Sequence, residues 1–247
     1  MIKFFRKIRQ KLLEQNRVSK YLIYAFGEII LVVIGILIAL AINNWNENRK
    51  TKNTKKIILA SIKQDLKADV TDLKQFLTVS DSLYQDLRKQ SKKVNRISYN
   101  EDSLVQFIKK EINIFIVSFN GFNNNTYESM KASGKLDILP EEIKEPLFEL
   151  SKLHNSNFKR YEVLRDDYYD EIEYLVRLYP MPISFSFIKN TPQNSFIWDN
   201  VDKREMMLSL NSWGSVKANF FRSIIGNFSL ILKKTETILE IIEQQND

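Results

Sequence analysis

The stretch Tyr21–Ile42, YLIYAFGEIILVVIGILIALAI, constrains this chain more than any other feature. Its 22 residues carry one charge, Glu28, and fourteen of them are Leu, Ile, Val or Phe. As a helix it spans about 33 Å, enough to cross a bilayer core of about 30 Å. The fourteen apolar side chains favour insertion by about 4–8 kcal/mol, against at most about 3 kcal/mol for one carboxylate. Tyr21 and Tyr24 at one end and Trp45 at the other fit interfacial aromatic belts, so the first expected partner is a lipid bilayer. Two other readings compete. One is a buried core helix. The other is a cleaved signal peptide, because Ala39-Leu40-Ala41 imitates an A-x-A site. Against the signal peptide, the basic stretch before the run is about 20 residues, and the run exceeds an ordinary h-region.

Charge follows the same division. The net charge of +7 lies almost wholly in residues 1–20, where seven basic residues face Glu14 alone. A nucleic-acid interface would instead be a basic stripe on the folded part, so no nucleic-acid partner is expected. Residues 6–20 hold six Lys/Arg and residues 43–57 hold five, so the positive-inside rule is nearly balanced. The first segment, MIKFFRKIRQKLL, mixes apolar and basic residues as a helix lying on an anionic inner leaflet would. The expected arrangement is a basic amphipathic cytoplasmic segment (1–20), a transmembrane helix (21–42) and an extracytoplasmic domain (43–247).

At 100° per residue, Tyr21, Glu28, Val32, Gly35, Ala39 and Asn46 share one face. Gly35 and Ala39 form a small-xxx-small pair that lets another helix approach closely. Glu28, Val32, Gly35 and Ala39 are therefore the candidate helix–helix contact in the membrane, with a homo-oligomer or a membrane-protein partner as the occupant. An ionisable group in such a segment also raises ion coupling as an alternative role for Glu28.

Beyond the membrane the pattern is helical. No glycine or proline occurs over the 85 residues from Ile36 to Asn120. Leu59, Ile62, Leu66, Val70, Leu73, Leu77, Leu83 and Leu87 recur at three- and four-residue steps, with a gap at Ser80, and predict an amphipathic helix. This helix should continue the membrane helix, with a joint at Asn43–Asn46, and end near Val94–Ile97. Asn100 should cap a helix over Glu101–Phe115. Ile112–Phe119 has no clear period, and helix and strand both stay open there. Asn125 and Glu128 predict a capping box, with Gly134 closing that short helix. A long helix is expected over Glu141–Leu178, with Pro146 in its first turn and Tyr179-Pro180 as its stop. Residues 183–202 read as irregular, and Lys203–Gln245 as the last long helix. The fold class is all-α: an N-terminal transmembrane helix followed by an elongated helical bundle.

Catalytic patterns are missing. With no cysteine and one histidine, thiolate sites, iron–sulfur clusters and most zinc or di-iron sites are excluded. The acidic cluster Glu162, Asp166, Asp167, Asp170, Glu171 and Glu173 has no Glu-x-x-His partner and reads as a solvated face. His154 stands in no triad-like setting. There is no nucleophile elbow, P-loop or dinucleotide fingerprint. No catalytic, metal-binding or cofactor-binding residue is assigned, and no enzyme is expected.

Three stretches, MIKFFRKIRQKLL, SKYLIYAFGEIILVVIGILIALAINNWNE and NNTYESMKASGKLDIL, resemble a family of small single-pass membrane proteins of unknown function from Bacteroidota. Met130 and Ala132 depart slightly from its second motif. The resemblance implies an uncleaved anchor in a Gram-negative envelope. With the orientation argued from the basic N-terminal segment, the N-terminus is expected to be cytoplasmic and the bundle periplasmic, at the inner membrane. It carries no activity. The expected role is a membrane-anchored, non-catalytic interaction or sensory module. The alternative is an accessory subunit of a transport or energy-coupled complex using Glu28.

Overall fold

The computed structural model describes residues 18–96, 101–180, 188 and 191–244. Among these every regular element is helical: α1 (Val18–Arg96), α2 (Glu101–Lys110), α3 (Asn125–Ala132), a 3-10 turn (Leu136–Ile138), α4 (Glu141–Leu178), α5 (Pro192–Asp199) and α6 (Lys203–Gln244). By its contacts the chain divides between Ile57 and Ile58.

The first unit consists, in its described part, of the N-terminal portion of α1. The expected joint at Asn43–Asn46 is absent, because α1 runs through it unbroken. Nothing there forces a break: no proline or glycine interrupts the stretch, and asparagine costs well under 1 kcal/mol in a helix interior. Glu47 pairs with Lys50 at 3.1 Å, and the Arg49 guanidinium lies 5.8 Å from the Trp45 ring centre. The apolar run lies open, with Ile23 71% and Phe26 67% exposed.

The second unit is a bundle of residues 58–96 of α1 with α4 and α6. Lys63 and Lys74 of α1 pair with Glu243 and Glu236 of α6 at 2.9 and 2.7 Å, so these two helices are antiparallel. Arg160, Glu171 and Tyr174 of α4 bond Ser223, Ser212 and Glu205 of α6, so α4 and α6 are antiparallel as well. The buried stripe of α1 is Leu59, Ile62, Leu66, Asp69, Leu73, Phe76, Ser80, Leu87 and Gln90. It keeps the three- and four-residue rhythm but includes polar members. Val70, Leu77 and Leu83 sit on its edge, half-buried.

Two of those polar members, Asp69 and Gln90, serve a segment that is neither helix nor strand. Helix α2 stops at Lys110 rather than Phe115, and residues 112–124 run as irregular chain among the three long helices. Asn113 meets Asp86 and Asn123 meets Asp69. Those two aspartates are 17 residues apart on α1, or about 26 Å. Ten helical residues would cover only about 15 Å, so the connecting chain must be extended. An extended chain inside a bundle has no ladder for its peptide groups, and buried ones must be satisfied by side chains. Gln90 accepts the Asn113 N–H at 3.3 Å, and buried Lys217 donates to the Asn113 carbonyl. Tyr168 donates to the Ile114 carbonyl. The Tyr161 hydroxyl accepts the Phe119 N–H at 2.9 Å. Phe119 is then locked among Phe76, Phe122 and Phe228, with ring centres 4.9–5.0 Å apart.

Other local expectations shift for identifiable reasons. The capping box at Asn125 does not form. Helix α3 starts after Asn124, its Thr126 N–H is taken by Asp65 of α1 at 3.0 Å, and Glu128 accepts from Ser151. Pro146 is the sixth residue of α4, not part of its first turn. The carbonyl it leaves without a donor is that of Glu142, an exposed residue. Residues 192–199 form α5, with Pro192 at the first helical position. Asn100 and most of residues 183–190 lie outside the described residues. The α3 terminus follows expectation: Gly134 has φ +66°, and the Lys135 N–H returns to the Met130 carbonyl at 3.0 Å. Gly134→Ala should destabilise the full chain by about 1 kcal/mol, since a Cβ is disfavoured in the left-handed region. Urea denaturation checks this, and an unchanged midpoint would contradict it.

Candidate functional site

Two features of the bundle can bear function. The first is a groove of about 860 Å³ between the C-terminal part of α1, helix α2 and the N-terminal half of α6. Its volume falls in the range of sites for small ligands, about 300–1,000 Å³. Its floor is apolar and buried, formed by Leu87, Leu104, Phe107, Met206, Leu210 and Trp213. Its walls carry Arg88, Lys92, Lys203 and Arg222, and no acidic residue is among the described residues that line it.

The second is a buried polar centre. Asp69 and His154 are 1% and 3% exposed. The Asp69 Oδ1 accepts the Asn123 N–H at 2.6 Å and the Asn123 Nδ2–H at 3.1 Å. The Asp69 Oδ2 lies 3.9 Å from His154 Nε2, too far for a hydrogen bond. The imidazole stacks flat on Phe122 with ring centres 3.8 Å apart. Burial, more than the neighbouring Asp72 and Asp65, pushes the Asp69 carboxyl up to about 6 despite its bonds from Asn123. Burial also lowers His154 to about 4. A carboxylate 3.9 Å away would favour the imidazolium, but the cost of burying a charge beside Phe122 dominates. The imidazole is therefore neutral at pH 7. It adjoins a cavity of only about 20 Å³, the size of one water, which Ser151 also lines, its hydroxyl donating to Glu128 at 3.1 Å.

The acidic cluster on α4 is not brought together. Asp166, Asp167 and Asp170 are exposed, and Asp166 and Glu173 are engaged by Arg165 and Arg177. Among the described residues, no three acidic or histidine side chains are placed to hold a metal ion. The membrane-contact candidates lie along one face of α1, where Val32, Gly35 and Ala39 are exposed and Glu28 half-exposed. A Cβ added at Gly35 would meet nothing within 4 Å. The interface candidates Tyr24 and Trp45 are 56% and 64% exposed, and Tyr21 belongs to the same helix.

Sequence reasoning missed Asp69, Lys217 and the groove. The signal for Asp69 was its three-residue spacing from Leu66. Lys217 had a similar signal, four residues after Trp213.

Together these features define an all-helical protein with a grooved bundle and, among the described residues, one helix near the N-terminus that is long and apolar enough to cross a membrane. The chain belongs to DUF6090, a family of unknown function, which matches residues 28–161, more than half of its length. That match runs from Glu28 to Tyr161. It includes the α1 and α2 walls of the groove and omits the α6 wall. No curated protein matches the chain, and no solved structure does.

Proposed function

We propose that this protein is a membrane-anchored, non-catalytic interaction or sensory module of the bacterial cell envelope. Its apolar helix spans the inner membrane once, its N-terminus is cytoplasmic, and its bundle faces the periplasm and receives a ligand in the groove. The observation that carries this reading is the division of labour within α1. The same helix supplies the exposed apolar run and, at Tyr84–Asn95, one wall of the groove. An apolar surface as open as that of residues 22–42 needs a lipid or protein cover. The resemblance of the membrane stretch to single-pass envelope proteins supports the same arrangement. A neutral, closely packed histidine and the exposed carboxylates of α4 support a binding role over catalysis.

The natural absence of cysteine makes the topology directly testable. Ser229→Cys, on the exposed face of α6, should react with a membrane-impermeant maleimide in cells with a permeabilised outer membrane. Asn16→Cys should react only after the inner membrane is opened, and the full chain should stay in the pellet after alkaline carbonate extraction. Release by carbonate would overturn the anchor, and the reverse labelling pattern would overturn the orientation.

A further inference from the structure

The groove has a chemical signature that specifies its ligand. We propose that it binds a single-chain amphiphile with an anionic head, a carboxylate or a phosphate monoester. This rests on reading the groove as the ligand site of the bundle.

Three observations converge. The first is charge. Four basic residues and no acidic one line the groove among the described residues, in a chain with 30 acidic residues overall. Elsewhere on α1 the lysines that face other elements are paired: Lys63 with Glu243, Lys74 with Glu236 and Lys93 with Glu111. Arg88, Lys92 and Arg222 are exposed and have no ion pair among the described residues. The second is placement. Helices α1 and α6 are antiparallel, and Tyr84 and Phe221 are in ring contact at 6.1 Å. Arg222 follows Phe221 and Arg88 lies one turn along α1 from Tyr84, so the two arginines are set about 8 Å apart along the helix axes, toward the Tyr84–Phe221 end of the groove. Guanidinium forks match carboxylate and phosphate oxygens in pairs. From that end the apolar floor continues past Leu87, Trp213 and Leu210 to Phe107.

The third is a glycine without a local reason. Gly214 sits inside α6, where glycine costs about 1 kcal/mol relative to alanine. A Cβ there would meet nothing within 4 Å, so close helix packing does not demand the glycine. It lines the groove beside Trp213, and Ala218, one turn on, lines it too. Gly226 is equally open but lies on the exposed face of the helix. Small residues at 214 and 218 hold open the space an acyl chain would fill.

The test uses the full chain with Trp45→Phe, to remove the tryptophan expected at the membrane, in nanodiscs of zwitterionic phosphatidylcholine. The probe is dansyl-undecanoic acid, read by energy transfer from the bundle tryptophans, with its methyl ester as the uncharged control. Saturable transfer is expected for the acid, with the ester about tenfold weaker, as the loss of one charge-assisted contact implies. Gly214→Leu should weaken the acid at least tenfold with helicity unchanged. Arg88→Gln combined with Arg222→Gln should weaken the acid about tenfold and leave the ester unaffected. Equal binding of acid and ester, abolished by Gly214→Leu, would overturn the anionic ligand while keeping the groove as a binding site. No saturable transfer, or indifference to Gly214→Leu, would overturn this proposal without touching the topology read by maleimide labelling. Displacement by inorganic phosphate alone would make the ligand a bare anion. Displacement by phosphatidylglycerol in the disc would make it a two-chain lipid. Either displacement would overturn the single-chain assignment.

Discussion

Lys217→Met is expected to destabilise the full chain by about 3 kcal/mol, because it removes the donor to the half-buried Asn113 carbonyl and a buried cation that attracts half-buried Asp86. Lys217 is 1% exposed. Its Nζ donates to the Asn113 carbonyl and lies 5.2 Å from the Trp213 ring centre and 5.9 Å from that of Phe221. Asp86, which it attracts, also accepts from Gln90 and Asn113 at 2.7 and 3.0 Å. Methionine keeps most of the volume, so the loss reports the polar contact rather than a cavity. Burial lowers Lys217 to about 8, with Asp86 opposing that shift. The unfolded lysine titrates near 10.4. Between about 8 and 10.4 the unfolded state therefore holds more protons, and stability gained through Lys217 rises with pH. The neutral amine still donates to Asn113, so the deficit of Lys217→Met should be larger at pH 9.5 than at pH 7.5. Adding Asp86→Asn to Lys217→Met should cost at least about 1 kcal/mol less than the sum of the single changes. Denaturant melts in nanodiscs read all three values. A deficit below about 1 kcal/mol at both pH values would mean that Asn113 is not held by Lys217.

Residues such as Lys217 mark the limit of what periodicity reveals. The long helices were legible because each carries an apolar stripe, and Tyr179-Pro180 marks the end of α4; Gly134 likewise marks the end of the short helix α3. The run at residues 21–42 was legible as part of a helix long and apolar enough to cross a membrane, because length and composition alone mark it. The path of residues 112–124 was not legible, since its peptide groups are satisfied by side chains far away in sequence. A stripe drawn through apolar residues alone slides from Asp69 to Val70 and skips Ser80 and Gln90. Asp69 and Gln90 are where α1 holds the inner segment. Asp65 supplies another case: it caps α3 from across the bundle, so the local box at Asn125 had no role to fill. The groove was illegible for a related reason. Arg88, Lys92 and Arg222 look like ordinary solvated charges until α1 and α6 are set antiparallel and an apolar floor appears between them.

Asp69 should behave oppositely under two substitutions. Asp69→Ala should destabilise the chain by about 3–4 kcal/mol, because Asn123 loses the acceptor for its peptide N–H and a cavity opens in the core. Asp69→Asn keeps the oxygen that accepts from Asn123 and presents an N–H toward His154 Nε2, 3.9 Å away in the native pair. It also removes a charge the fold disfavours. The native carboxyl is raised to about 6, above its unfolded value near 3.9. The folded state thus binds the extra proton, and the stability this group contributes is full below about pH 4 and lost as pH rises through 6. At pH 7.5 Asp69→Asn should therefore be about 1–2 kcal/mol more stable than the native chain, and at pH 4.5 the advantage should shrink toward zero. His154 works in the other direction. It is held to about 4 against an unfolded value near 6.5, so its contribution is full above 6.5 and lost as pH falls to 4. In the native chain the two slopes oppose each other between pH 4 and 6, and stability should be nearly flat there as far as this pair decides it. Asp72, which accepts from Asn123, and Asp65, which accepts from the Thr126 N–H, are present in both chains. Removing the Asp69 slope leaves that of His154 alone, so Asp69→Asn should lose stability more steeply than the native chain as pH falls from 6.5 to 4. Thermal melts across that range decide it. If Asp69→Asn were as damaging as Asp69→Ala at pH 7.5, the charge itself would be holding Asn123, and the fold would depend on an ionised Asp69.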